Sequence, residues 1–215
     1  MNLLIDRLPN AVTIMGKEYE IETDFRVSVL FELMMQDDDL SPTEKCLQSL
    51  QLYFPQVHFW RSEEQIVEAI KSIIWFYKCG RSDKERERKK RDDDDEEGEK
   101  PERYYSFDYD DEYIYAAFLQ QYGINLTTAR LHWWEFRALF KGLSHDCEFC
   151  KIMGYRATKI TGEMSKGEKD FYHKMKKLHA LPLSEKEQEY QDALEDALMN
   201  GGDVSAVLRG TYNEK

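Results

Sequence analysis

A chain of 215 residues with 41% hydrophobic side chains can build one medium domain or two small ones. Thirty basic against 42 acidic residues give a formal charge of -12, which argues against a nucleic-acid or anionic-membrane partner. No stretch nears the roughly 20 apolar residues of a membrane helix, Met1–Asp6 lacks the features of a signal peptide, and four cysteines make no disulfide framework, so an intracellular, reduced setting is expected.

Ala11–Met15 and Glu18–Ile21 alternate in the strand manner, and Gly16-Lys17 between them reads as a type II′ hairpin turn. Thr23-Asp24 can cap a helix in which Phe25, Val29 and Leu33 line one face and Val27, Leu30, Phe31 and Met34 another. Ser41-Pro42-Thr43-Glu44 is a capping box with proline at the first helical position, followed by Cys46, Leu47, Leu50 and Tyr53. Ser62–Gln65 is a second box, opening a helix with Ile66, Ile70, Ile73 and Tyr77 in register and Cys79-Gly80 at its end. Apolar residues are absent between Gly80 and Pro101, where a basic block adjoins an acidic one, so 81–103 is expected to be a charged, flexible linker.

The aromatic-rich stretch Tyr104–Leu143 comes next. Phe107–Glu112 reads as a helix start, since carboxylates there complement the free backbone N–H groups. Ile114, Ala117, Phe118 and Tyr122 recur at helical spacing, and Gly123 suits the left-handed residue that closes a helix. Thr127 or Thr128 is expected to cap another helix, with Ala129, Trp133, Phe136, Phe140 and Leu143 on one stripe. The adjacent tryptophans sit about 100° apart on a helix, so Trp133 is assigned to the core and Trp134 to a neighbour, as a partner-binding candidate. Ser144-His145-Asp146 should begin a short helix through Met153, with a turn or loop from Gly154 to Gly162. Ser165–Glu168 is a third box before Phe171, Met175 and Leu178, and Ser184–Glu187 a fourth before Tyr190, Leu194, Ala197 and Leu198. One more turn is expected at Val204–Leu208.

Chemistry is sparse. Cys147 and Cys150, with His145 close by, have the spacing of metal ligands, but a closed zinc site needs four donors. They are read as core residues, and no metal or cofactor is expected. Asp108, Asp110 and Asp111 lack the order of a calcium loop and are explained by helix-start electrostatics. No histidine pair, glycine-rich phosphate loop or nucleophile turn is present, so the chain is not expected to be an enzyme.

The strings YIYAAFLQQYGINL, LHWWEFRALFKGL, KIMGYR and FYHKMKKLHALP resemble a family of small bacteriophage proteins encoded among the tail genes of long-tailed phages of Gram-positive bacteria. The resemblance implies a tail assembly chaperone that binds the tape-measure protein in the host cytoplasm before the tail tube polymerises. The tail-tube protein and a second copy of the chain are further expected partners, and nucleic acid and membrane are not. The alternatives are a minor component of the mature tail and a nucleic-acid-binding or metal-dependent accessory factor. The expected fold is mainly α and multi-helical, with a short N-terminal β-hairpin. Residues 1–80 and 104–215 flank the linker 81–103, and either pack as one domain or stay apart.

Overall fold

The computed structural model describes residues 2–81 and 103–182, together with Ala193, Asp196 and Met199. The expected linker, apart from Arg81 and Arg103, lies outside the described residues, as do the Ser184 box and the turn at Val204–Leu208. Met1–Ala180 form one compact unit and Leu181–Lys215 another, and the hairpin and every helix from Phe25 to Leu178 belong to the first.

Strands β1 (Ala11–Ile14) and β2 (Lys17–Glu20) pair antiparallel with Ile14 opposite Lys17. This register turns Val12 and Ile14 into the core. The loop is therefore Met15-Gly16, with φ of 49° and 73°, and not Gly16-Lys17. Two successive left-handed residues mark a type I′ turn, which replaces the expected type II′. The Met15 N–H donates to the Glu68 carboxylate at 2.6 Å, which helps hold this conformation. A left-handed methionine is strained by about 1–2 kcal/mol, and its side chain is largely exposed. Met15→Asn restores the favoured Asn-Gly pair and should raise stability by about 1 kcal/mol, seen as a higher urea midpoint with an unchanged slope.

Seven helices follow among the described residues. Helix α1 (Phe25–Gln36) is capped by Asp24, whose side chain accepts the Arg26 N–H. Helix α2 (Pro42–Tyr53) opens with the full reciprocal box of Ser41 and Glu44. In α3 (Glu63–Tyr77), Ser62 accepts the Gln65 N–H. The Gln65 side chain turns elsewhere, accepting from the Arg61 N–H and donating to the Tyr19 hydroxyl at 2.7 Å. The buried stripe of α3 is accordingly Gln65, Ala69, Ile73 and Phe76, with Ile66, Ile70 and Tyr77 on its flank.

Helix α4 (Asp111–Tyr122) buries Ile114, Ala117 and Phe118 and closes on left-handed Gly123 as expected. Helix α5 (Trp133–Lys141) starts later than Thr127 or Thr128. The Thr127 N–H and hydroxyl both donate to the Asn125 side chain, so this threonine is used in a turn. The segment beyond runs extended beside α1, where Phe25 N–H donates to the Leu131 carbonyl and Trp133 N–H to that of Thr23. That pairing delays the helix. His132 then caps it: its ring accepts the Trp134 N–H, and the Glu135 carboxylate accepts the His132 N–H.

Helix α6 (Glu148–Ala157) also departs from expectation. Ser144 anchors a turn by accepting the Asp146 N–H, and the helix continues through Gly154 to place Arg156 against α4. Phe149 and Ile152 are its buried residues. Helix α7 (Lys166–Leu178) has the expected box of Ser165 and Glu168 but buries none of its residues fully. Tyr155 of α6 packs edge-on against Phe171, and Lys176 donates to the Arg156 carbonyl.

Residues from both sides of 82–102 share one core. The Phe136 ring stacks on Phe25 at 4.6 Å and on Phe118 at 5.0 Å. Both tryptophans are buried, Trp133 fully and Trp134 at 2% exposure. This corrects the outward assignment of Trp134. The last carbonyls of α3 lack helical partners, and both indoles serve them: Trp133 Nε1–H donates to Tyr77 O at 2.9 Å and Trp134 Nε1–H to Phe76 O at 2.8 Å. The chain leaves α3 through left-handed Cys79 and Gly80. A Cβ at Gly80 would lie 2.9 Å from Cη2 of Trp134.

Candidate functional site

Two open apolar grooves stand out among the described residues. The larger, about 760 Å³, runs between α1 and α4. Phe25, Val29, Phe107, Ile114 and Phe136 make its apolar wall. One lip carries Asp111 and Glu112, both exposed in the first turn of α4. On the other lip, Arg26 is committed to both oxygens of Asp24 at 3.1 Å and to the Ala129 carbonyl. The charge the groove presents is therefore acidic.

The smaller groove, about 380 Å³, lies among α1, α2 and α3. Phe31, Leu40, Cys46, Ile70 and Ile73 line it, with the half-exposed Met35 and Ile74 on its lips. Lys45 reaches across to donate to the Met35 carbonyl at 3.0 Å. A channel this apolar, edged by a flexible methionine, suits the apolar face of a partner helix.

Cys147 precedes α6 and Cys150 lies in its first turn. Burial, followed by the neighbouring Cys147, pushes the Cys150 thiol up to about 11, so it stays protonated at neutral pH. Its Sγ points to the Leu143 carbonyl at 3.8 Å. Among the described residues no three His, Cys, Asp or Glu side chains gather where they could hold a metal, and His145 does not complete a set with the two cysteines. Glu32 accepts the hydroxyls of Tyr77 and Tyr105. Burial first, then the Glu32 charge, raises both phenols, Tyr105 to about 12, so neither supplies a phenolate nucleophile.

The strongest polar contact was not foreseen. Asp110, only 1% exposed, makes no cap bond to α4 and instead pairs bidentately with Arg156 at 2.7 and 2.8 Å. The same carboxylate accepts the Ser106 N–H, and Arg156 also donates to the carbonyls of Tyr104 and His179. The cluster of aspartates thus contains a structural clamp, and its cation comes from a segment expected to be a loop.

His132 is half-buried where the N-terminal segment meets the start of α5. Its Nδ1 accepts the Trp134 N–H, so the ring proton sits on Nε2 and is donated to the Pro9 carbonyl at 3.0 Å. Burial lowers its pKa below the ordinary 6.5, against the raising effects of Pro9 and Glu135. The folded state thus resists a proton that the unfolded chain accepts. Its contribution to stability is complete above about pH 6.5 and is lost as pH falls through the depressed folded pKa. Urea unfolding at about pH 7.5 and 5.5 should show this loss, and His132→Asn, which keeps a capping acceptor, should reduce the difference.

No helix among the described residues is long and apolar enough to cross a membrane. A family model described as "Bacteriophage Gp15 protein" matches residues 4–181. No curated protein and no solved structure matches the chain.

Proposed function

Since the chain belongs to the bacteriophage Gp15 protein family, we propose that it is a non-enzymatic tail assembly factor, a chaperone for the tape-measure protein in the host cytoplasm. A tape-measure chain is long and helical, and its apolar stripes stay uncovered until tube subunits close around it. A protein that holds such a chain needs an apolar channel of helix width and enough surface charge to keep the pair dissolved. The groove among α1, α2 and α3 is the observation that carries this reading, with Met35 and Ile74 as its exposed lips. The net charge of -12 meets the second need.

The test is coexpression. The tape-measure protein made alone should aggregate, and this protein should raise its soluble yield and copurify with it. Met35→Lys with Ile74→Lys, both at half-exposed positions, should abolish the rescue while the circular dichroism spectrum is retained. The complex should be only slightly weakened by moderate salt, because an apolar contact does not depend on counterion release. Unchanged yield, together with the protein in washed virions at fixed stoichiometry, would replace the chaperone by a component of the mature tail.

A further inference from the structure

Helix α7 is the one helix of the described fold that fully buries none of its residues. Its inner side, Tyr172, Met175 and Lys176, faces the body of the protein and is half-buried, whereas Phe171 is 46% and Leu178 67% exposed. Phe171, Lys174 and Leu178 fall on one face, and the two apolar residues stand roughly 10 Å apart along the axis at 1.5 Å per residue. The helix is also basic in an acidic protein. Its five lysines, at 166, 169, 174, 176 and 177, outnumber Glu168 and Asp170. Lys169 and Lys176 donate to backbone carbonyls of their own chain, which leaves Lys166, Lys174 and Lys177 exposed; Lys174 and Lys177 flank the apolar pair and outnumber Asp170, the exposed carboxylate beside Phe171.

The groove between α1 and α4 has the opposite character. Its wall is apolar and aromatic, its free charges are Asp111 and Glu112, and the arginine on its far lip is already neutralised by Asp24. Each surface supplies what the other lacks. We propose that α7 of one copy docks in the α1–α4 groove of a second copy, Phe171 and Leu178 entering the apolar channel and Lys174 and Lys177 meeting Asp111 and Glu112. The two surfaces differ, so the contact is head-to-tail. After pairing, one copy keeps its groove free and the other its helix, and growth continues until a ring closes or the supply of copies ends. The contact does not use the groove among α1, α2 and α3 and stands apart from the identity of any tape-measure partner.

Sedimentation velocity of the full chain at increasing concentration and low salt tests the proposal. The wild type should sediment faster as concentration rises, and added salt should reverse the effect. Lys174→Glu with Lys177→Glu should weaken association at least about tenfold, as should Asp111→Lys with Glu112→Lys. Asp111→Asn with Glu112→Gln is the milder groove variant should the lysines disturb the helix start. The decisive arm is a mixture of the two charge-reversed proteins. Each alone should be monomeric, and together they should associate, because the reversed helix of one meets the reversed groove of the other and the unaltered surfaces meet as well. Phe171→Ser should also abolish assembly. A wild type that stays monomeric to roughly 100 μM would overturn the proposal and leave α7 to the chain's own residues or another partner. So would association that survives both charge reversals, or a mixture that remains monomeric.

Discussion

Asp110→Ala should destabilise the protein by about 3–5 kcal/mol, the range for removing one partner of a buried ion pair. The magnitude comes from what remains. Arg156 is only 10% exposed on its side chain, and without the carboxylate its guanidinium keeps two carbonyl acceptors but no counter-charge. The Ser106 N–H, itself in a buried residue, loses its acceptor in the same step. Asp110→Asn keeps the shape and one acceptor and should cost less. Replacing Asp110 and Arg156 together by apolar residues of similar size should cost less than Asp110→Ala alone, since no uncompensated charge is left inside. Urea unfolding of the four proteins separates these cases, and a loss under about 1 kcal/mol for Asp110→Ala would show that water reaches the pair.

Trp134→Ala should cost about 3–5 kcal/mol, as much as Trp133→Ala. Both indoles lie within the core, and each donates to a terminal carbonyl of α3, so each truncation removes packing together with a hydrogen bond. Trp134 additionally fills the space against Gly80 and packs edge-on against Trp75 and tilted against Phe76. Thermal or urea unfolding of the two variants checks the equality. A small loss at Trp134 beside a large one at Trp133 would restore the outward assignment.

What could be read from the sequence was local. Ser41 with Glu44, Ser165 with Glu168, and Gly123 each act within a few residues, and the structure keeps all three as helix boundaries. The mainly helical class followed from spacing alone. Where a distant strand of backbone competes, local reading failed. Thr127 has the chemistry of a cap, but Asn125 takes it, and pairing of Leu131 and Trp133 with the start of α1 holds the chain extended. Gly154 looked like a break, yet the tie between Arg156 and Asp110 lies on a helix that runs through it. The hairpin turn slipped by one residue because burial of Val12 and Ile14 fixes the register, and turn preference yields to it. As for the candidate site, Cys147, Cys150 and His145 were visible as types, but their environment was not. Both grooves escaped notice, since their walls come from α1 meeting α4, and from α1, α2 and α3 meeting one another.

The shared core has a consequence for how the polypeptide emerges from the ribosome. Phe25 and Phe76 are covered by Phe136 and Trp134, encoded about 60 residues downstream of Phe76. At roughly 5–20 residues per second, translation of that interval takes on the order of 3–12 s, far longer than the microseconds in which the first three helices can form. During those seconds the nascent N-terminal half displays the aromatic surface that α5 will later close. Slow codons between residues 82 and 132 would lengthen the exposure, and synonymous acceleration of that stretch should raise the soluble fraction without changing a single side chain.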